Sequence, residues 1–306
     1  MKKLVAPICA SICLCLGLSA QAAPQQKVDV LWDRFAAEVA DTEKGLDGVL
    51  GVAMLDLASG RTFLLHPDEV FPQASSIKIT VLAELYHQAE QGKLKLTDPY
   101  VVQQSDIVQD SDIMGGLTPG VTTLTYRDLA TMMIAVSDNA ATNVLIDRVG
   151  MDNVKALMDS QGLPETRLRR KMMDLKAAGE GRENVSTPRE MMTLLERLYR
   201  GKLLGPTKDD FFTMLATHKN SWIPRGLPEG LKIADKPGEL EGVRADSGVI
   251  FLDNRPYVLC VMTTYLGKER DGEQVISRIS GAAFRLFDHL ARSSDYGRVI
   301  SVSNGH

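Results

Sequence analysis

Apolar positions along this chain change their period twice. Gly51-Val52-Ala53-Met54-Leu55-Asp56-Leu57 and Thr62-Phe63-Leu64-Leu65 are short apolar runs separated by Ser59-Gly60, so the pair predicts two strands joined as a hairpin. The second run stops before His66-Pro67, where proline offers no N–H to a ladder. From residue 76 to 91 the spacing becomes helical, with Ile77, Val81, Leu82 and Leu85 on one side. Further helices are predicted over residues 126–137, 140–149, 151–161 and 188–201, the last introduced by Thr187-Pro188 with Glu190. Strand-like runs then return at 231–236, 247–252 and 257–265, with Asp253-Asn254 and Arg255-Pro256 turning between the last two. An amphipathic helix is expected over 274–291.

Strands near both ends with helices between them imply an α/β (α+β) fold: an antiparallel sheet assembled from the two termini, flanked by helices and packed against an all-helical insertion. The expected division is a sheet lobe from 23–72 and 202–292, a helical lobe from 73–201, and a polar tail from 293–306. Ahead of these, Met1-Lys2-Lys3, an uncharged apolar run from Leu4 to Ala20 and the small-residue pattern Ala20-Gln21-Ala22 read as a secretory signal peptide over 1–22, cleaved near Ala22, with a periplasmic destination. The run is shorter than the ~20 apolar residues a span needs, so no stable membrane anchor is expected.

Composition narrows the chemistry. Cys9, Cys13 and Cys15 leave with the signal peptide, and Cys260, inside the apolar run Tyr257-Val258-Leu259-Cys260-Val261-Met262, is expected as a buried thiol with no disulfide partner. A formal charge of -4 argues against a nucleic-acid partner, and the cluster Arg167, Arg169, Arg170 and Lys171 is too short to reverse that. His66, His87, His218, His289 and His306 are scattered, without H-x-H or H-E-x-x-H spacing, so neither a metal site nor a cofactor is expected. A Ser-His-Asp triad lacks its G-x-S-x-G elbow.

Three polar motifs remain, in fixed order: Ser75-Ser76-Ile77-Lys78, Ser137-Asp138-Asn139 and Lys236-Pro237-Gly238. Ser75 and Lys78 fall one turn apart on one helical face, a hydroxyl beside a possible base, with Ser75 where a helix N-terminus favours developing negative charge. Alone, this reads first as an N-cap serine and a surface lysine, since one S-x-x-K arises by chance about once in a chain this long. Likewise Ser137-Asp138-Asn139 is also a common polar turn. The ordered trio is far more specific. With Phe71-Pro72-Gln73-Ala74, Leu124-Thr125-Tyr126-Arg127-Asp128-Leu129 and Thr166-Arg167-Leu168, the chain resembles, over nearly its whole mature length, the class A β-lactamase and penicillin-binding family of active-site-serine acyl hydrolases.

The resemblance implies Ser75 as nucleophile, Lys78 as the group accepting its proton, and Ser137 as the relay to the leaving nitrogen. Lys236 would hold Ser137 and attract a substrate carboxylate. It implies Asn139, Gly238, Glu239 and Arg244 as substrate-binding positions: Asn139 toward a substrate carbonyl and Lys78, the N–H groups of Ser75 and Glu239 as an oxyanion hole, and Arg244 toward the carboxylate. Asp138 would be structural. Pro237 stands where a Thr or Ser hydroxyl is usual and brings no donor.

A second departure matters more. The family's loop after Thr-Arg-Leu carries Glu-x-x-x-Asn, whose carboxylate activates the water that hydrolyses the acyl-enzyme; alignment puts Met172 and Lys176 at those positions. Neither a thioether nor an ammonium is a carboxylate base, and using Asp174, Glu165 or Glu180 requires a rebuilt loop. The expectation is a monomeric, periplasmic serine acyl hydrolase that is acylated by β-lactams or by the D-Ala-D-Ala peptidoglycan stem, with D,D-peptidase-like behaviour or slow lactam hydrolysis. The alternatives are a sensor or trap that keeps the ester, and an efficient β-lactamase with another base.

Overall fold

The computed structural model describes residues 23–294 and 296–299; the assigned signal peptide and the end of the polar tail lie outside them. The chain begins with helix α1 (Ala23–Lys44), the hairpin β1 (Val49–Asp56) and β2 (Thr62–Leu65), the short β3 (Phe71–Pro72) and a 3-10 turn at Ala74–Ile77 leading into α2 (Lys78–Glu90). The helical insertion continues through β4 (Pro99–Val101), β5 (Thr123–Thr125), α3 (Tyr126–Ala135), α4 (Asn139–Val149), α5 (Met151–Ser160), α6 (Leu175–Gly179), β6 (Val185–Ser186) and α7 (Pro188–Tyr199). After α8 (Lys208–Leu215) come β7 (Ile233–Leu240), β8 (Val243–Ile250), β9 (Tyr257–Thr264) and α9 (Glu269–Ala291).

The five main strands form an antiparallel sheet in the order β2-β1-β9-β8-β7, as the α+β reading requires. β1 and β9 read as unbroken apolar runs because the sheet is covered on both faces. Val52, Met54, Leu259 and Val261 join Trp32, Phe35, Val39, Ile276 and Phe287 of the terminal helices in one core. Ala53, Leu55, Val258, Cys260 and Met262 join the helical lobe in the other. This is the period-two split of a strand buried on both sides. Phe287 stacks on Tyr257 with centroids 4.3 Å apart, and Cys260 is the buried thiol expected.

Several boundaries differ from the sequence reading. α1 was not anticipated: its buried apolar residues among those described are Trp32, Phe35 and Val39, with Thr42 one turn farther on, a narrow stripe on a polar helix. The short α8 was also missed. α9 starts at Glu269 rather than at 274, and β8 starts at Val243 rather than at 247. β7 does not end at Lys236 but runs through Pro237 and Gly238 to Leu240. Proline and glycine are punctuation in a sequence, yet β7 is the sheet's edge strand, where a missing N–H is tolerated.

Ile77, Ile79, Leu82 and Leu85 of the turn and α2 are fully buried, each worth about 1.5–3 kcal/mol relative to exposure, and this anchors the centre of the helical lobe. α7 rests on the sheet; Thr187 caps it by accepting from Glu190 N at 3.1 Å, and Glu190 in turn accepts from Glu165 N and the Thr166 hydroxyl. The cap therefore also fixes the start of the 165–184 loop. Thr187→Ala is expected to cost about 1 kcal/mol, read as a lower urea midpoint at unchanged m-value; an unchanged midpoint would refute the role.

Candidate active site

A two-part cleft, about 450 and 470 Å³, lies between the β7 edge and the helical lobe, and its halves share Ser75, Asp112, Val136, Ser137 and Glu239. Ser75 is half-buried on the turn that opens α2. Its predecessor Ala74 has φ 47°, a left-handed conformation unfavourable for a residue with a Cβ. Gly238 explains how the turn is held. A Cβ there would collide with the Gln73 carbonyl oxygen and lie 2.7 Å from Ser76 N and 3.0 Å from Ser75 N, so only glycine lets the β7 backbone run this close to Ser75. The geometry brings Ser75 and Glu239 together where the two halves of the cleft meet.

Lys78 is not a surface lysine. It is wholly buried, and its Nζ donates to Ser137 O at 2.6 Å, Ser137 Oγ at 2.9 Å and Asn139 Oδ1 at 3.1 Å. Ser137 takes φ 59° between α3 and α4, which ends α3 two residues before the expected boundary and turns its hydroxyl toward Lys78. Asp138 pins this turn: buried, it accepts from Ala141 N as the N-cap of α4 and from Ile113 N and Met114 N across the cleft wall. Asn139 also donates through Nδ2 to the Asp110 carbonyl oxygen at 3.1 Å.

Lys236, also buried, donates to the same Ser137 Oγ at 3.2 Å. Burial, then the neighbouring Lys236, hold the Lys78 pKa well below the usual lysine value against the pull of Asp138. Burial and Lys219 bring Lys236 down to about 8, with Asp246, Asp235 and Glu239 opposing. A neutral lysine and a charged one can thus flank one hydroxyl at neutral pH.

Arg244, like the buried Lys78, does not line the cleft, and unlike Lys78 it makes no contact with Ser137 or Asn139. Its guanidinium donates to the Leu240 and Val243 carbonyl oxygens at 2.9 and 2.8 Å, pairs with Glu273 at 3.5 Å and lies over Trp222. Local carbonyls take its two Nη1 donors, and Nη2 stands 4.0 Å from Glu239. Lys219 and Arg225 line the Lys236 half instead, and no motif surrounds either in sequence.

In the other half, Met172 sits at the expected base position. Asn143 on α4 grips its backbone twice, donating to Met172 O at 3.0 Å and accepting from Met172 N at 2.8 Å. The thioether is 7 % exposed and packs with the helical-lobe core while lining the cleft beside Met173 and Leu175. Lys176 points out to solvent, Asp174 caps α6, Glu180 pairs with Arg182, and Glu165 is exposed; none lines the cleft. Asn143, a buried polar residue one turn after Asn139, was a readable signal that the sequence analysis passed over.

Residues 34–287 match the model of the "Beta-lactamase enzyme family". The β-lactamase SME-1 of Serratia marcescens is 30% identical over 290 residues, covering 90% of this chain and 95% of that protein. The chain belongs to the class A β-lactamase family. A β-lactamase crystal structure from Sphaerobacter thermophilus superposes with TM-score 0.77 at 32% identity, covering 84% of this chain and 98% of that one. PBP-A superposes with TM-score 0.76 at 25% identity, covering 83% and 96%; a leucine-to-glutamate mutant of it is known as an acyl-enzyme complex with penicillin G.

As a β-lactamase-family serine hydrolase, the protein brings Ser75, Lys78, Ser137, Asn139, Lys236, Gly238 and Glu239 together. Among the described residues no cluster of three or more His, Cys, Asp or Glu is arranged to hold a metal ion, and no helix is long and apolar enough to cross a membrane. If Lys78 acts neutral and Lys236 acts charged, acylation rises with pH as Lys78 deprotonates and falls again near pH 8 as Lys236 does. Stopped-flow acylation rates against pH test this. Lys236→Arg, whose guanidinium stays protonated, is expected to remove the alkaline fall, and a rate still rising at pH 9 in the parent would contradict the assignment.

Proposed function

We propose that Ser75 is acylated by β-lactams or by D-Ala-D-Ala-terminated stem peptides, and that the ester is released slowly, in the manner of a D,D-peptidase or a slow lactamase. The observation that carries this reading is Met172, clamped by Asn143 where the family places its deacylating carboxylate. In the acylation half, Ser75 Oγ attacks the carbonyl carbon while its proton passes to neutral Lys78. The Ser75 and Glu239 N–H groups face the developing oxyanion. As the C–N bond breaks, Ser137 gives its proton to the leaving nitrogen and is reprotonated from Lys78, which its hydroxyl touches. Lys236, with Lys219 and Arg225 in the same half of the cleft, attracts the substrate carboxylate; Arg225 takes the role first assigned to Arg244.

Deacylation then needs a base for water. The carboxylates lining the Met172 half, Asp110, Asp112 and Glu239, are solvent-exposed, whereas the loop position that faces the ester in the family holds a thioether. The penicillin G acyl-enzyme of the PBP-A mutant supports acylation chemistry on this scaffold. We also propose export to the periplasm, from residues 1–22, and action as a monomer.

Intact-mass analysis after exposure to a penicillin and removal of excess drug tests the reading. The parent is expected to hold a Ser75 adduct for hours, and Ser75→Ala to form none. Met172→Glu should clear it faster by about 10²–10⁴-fold, the usual worth of a general base. An adduct that clears within seconds in the parent would mean an efficient β-lactamase, and one that never clears, even on Met172→Glu, would favour a trap.

A further inference from the structure

The two halves of the cleft differ in charge. Every lysine that lines it, Lys219 and Lys236, lies in one half, together with Arg225 and Glu273. The Met172 half, about 470 Å³, is lined by the exposed carboxylates of Asp110, Asp112 and Glu239 and by one cation, Arg170; Asp112 and Glu239 also border the first half. Arg170 is already engaged: its side chain is 9 % exposed and pairs with Glu183 at 2.8 Å. Glu239 stands 4.0 Å from Arg244, which also pairs with Glu273 at 3.5 Å, and Glu273 pairs with Arg225 at 3.2 Å. On the loop that carries Met172, Lys171 pairs with Asp147, and Lys176 points out to solvent. With these pairs cancelled, Asp110 and Asp112 keep their negative charge unopposed, since neither has an ion-pair partner among the described residues.

The same half also carries an apolar surface made of Met172, Met173 and Leu175. Leu175 is 65 % exposed, so this surface is open to whatever enters. The carboxylates do not converge as metal ligands would. Apolar lining beside separate carboxylates suits a run of methylenes that ends in an ammonium: the stem lies along the apolar surface while the charged head stays solvated. Thioethers adapt to the course of such a stem. A small inorganic cation would gain nothing from the apolar surface, and an acidic group would be repelled. With a substrate carboxylate held beside Lys236, the acyl side of the scissile bond extends past Ser75, at the junction of the halves, into this one.

We propose that the Met172 half selects acyl donors bearing an alkylammonium group on the acyl side of the scissile bond, with Asp110 and Asp112 as the specificity-determining residues. The donor that fits is a D-Ala-D-Ala peptide whose preceding residue is lysine-like and keeps its side-chain amine free. The orientation of the donor rests on the acyl-transfer reading above.

The test compares Nα-acetyl-Lys-D-Ala-D-Ala with its Nα,Nε-diacetyl form, which lacks only the ammonium. In the mature protein at about 10 mM salt, where charges act over ~30 Å, release of D-Ala from the free amine is expected to show about three- to tenfold higher kcat/KM, the worth of one or two exposed ion pairs. The preference should shrink at about 1 M salt, where the screening length is ~3 Å, and vanish in Asp110→Asn/Asp112→Asn. Asparagine suits the φ of 54° at Asp110 and leaves that residue's carbonyl oxygen to Asn139, so the variant should fold. Equal kcat/KM for the two peptides in the parent, or a preference that survives in the variant, would overturn the proposal. An equal fall for both peptides in the variant would reduce Asp110 and Asp112 to a structural role.

Calorimetric binding of the same two peptides to Ser75→Ala separates this proposal from the reading it rests on. Tighter binding of the free amine, with no acylation of the parent by either peptide or by a penicillin, would end the acyl-transfer reading and leave the charge preference standing. Discrimination in neither measurement would end the charge preference.

Discussion

Two ammonium groups, Lys78 and Lys236, are buried on either side of one serine hydroxyl, and the rest of the cleft follows from that. Removing a charge from water costs several kcal/mol unless its donors are met. The donors of Lys78 are met by a carbonyl, a hydroxyl and an amide oxygen, all on the Ser137–Asn139 turn. Lys236 meets the same hydroxyl and the Pro237 carbonyl oxygen. Mutual repulsion is relieved most cheaply if one of the two gives up its proton. The arrangement that makes burial tolerable thus also favours a neutral amine on one side of the Ser137 hydroxyl and a cation on the other. Asp138 contributes at a distance, fixing the turn rather than pairing with either lysine.

Such a site needs a backbone that does not relax. Ala74, Asp110, Ser137 and Met173, all around the cleft, are non-glycine residues with positive φ, each held at a cost on the order of 1–3 kcal/mol. The contacts that offset this are local and specific: β7 packed against the Ser75 turn through Gly238, Asp138 bonded to three backbone N–H groups, and Asn143 clamping Met172 next to Met173. Strain and its restraints occur at the same places. The apolar packing of α2 beneath them supplies the stability on which they draw.

The fold class was legible because the period changes are strong and the sheet's inner strands are apolar on both faces. The cluster of Ser75, Lys78, Ser137 and Lys236 was legible because its members sit in short motifs that keep their spacing. What escaped were residues placed by tertiary approach. Arg244 had the right residue type and roughly the right place, but nothing in the sequence shows that Leu240 and Val243 present carbonyls to it. Lys219 and Arg225 carry no local pattern, and they reach the cleft only because the segment after α8 folds back over β7 and β8. The extension of β7 through Pro237-Gly238 was hidden by the same limit, since an edge strand and a close approach are properties of neighbours.

The Met172 position separates two functions of the loop that the family's glutamate would combine. Asn143 still holds the backbone at that point by both its N–H and its C=O, so the segment is placed as if a catalytic side chain were to be presented. The side chain presented is apolar and joins the helical-lobe core. A carboxylate there would lose part of that packing and would have to stay solvated in a recess flanked by Met173 and Leu175, where desolvation raises its pKa. The thioether avoids that cost and adds apolar contact. On this scaffold, loop packing favours an apolar side chain at position 172 where base chemistry would favour a carboxylate, which is why the slow-release reading proposed above turns on this one residue.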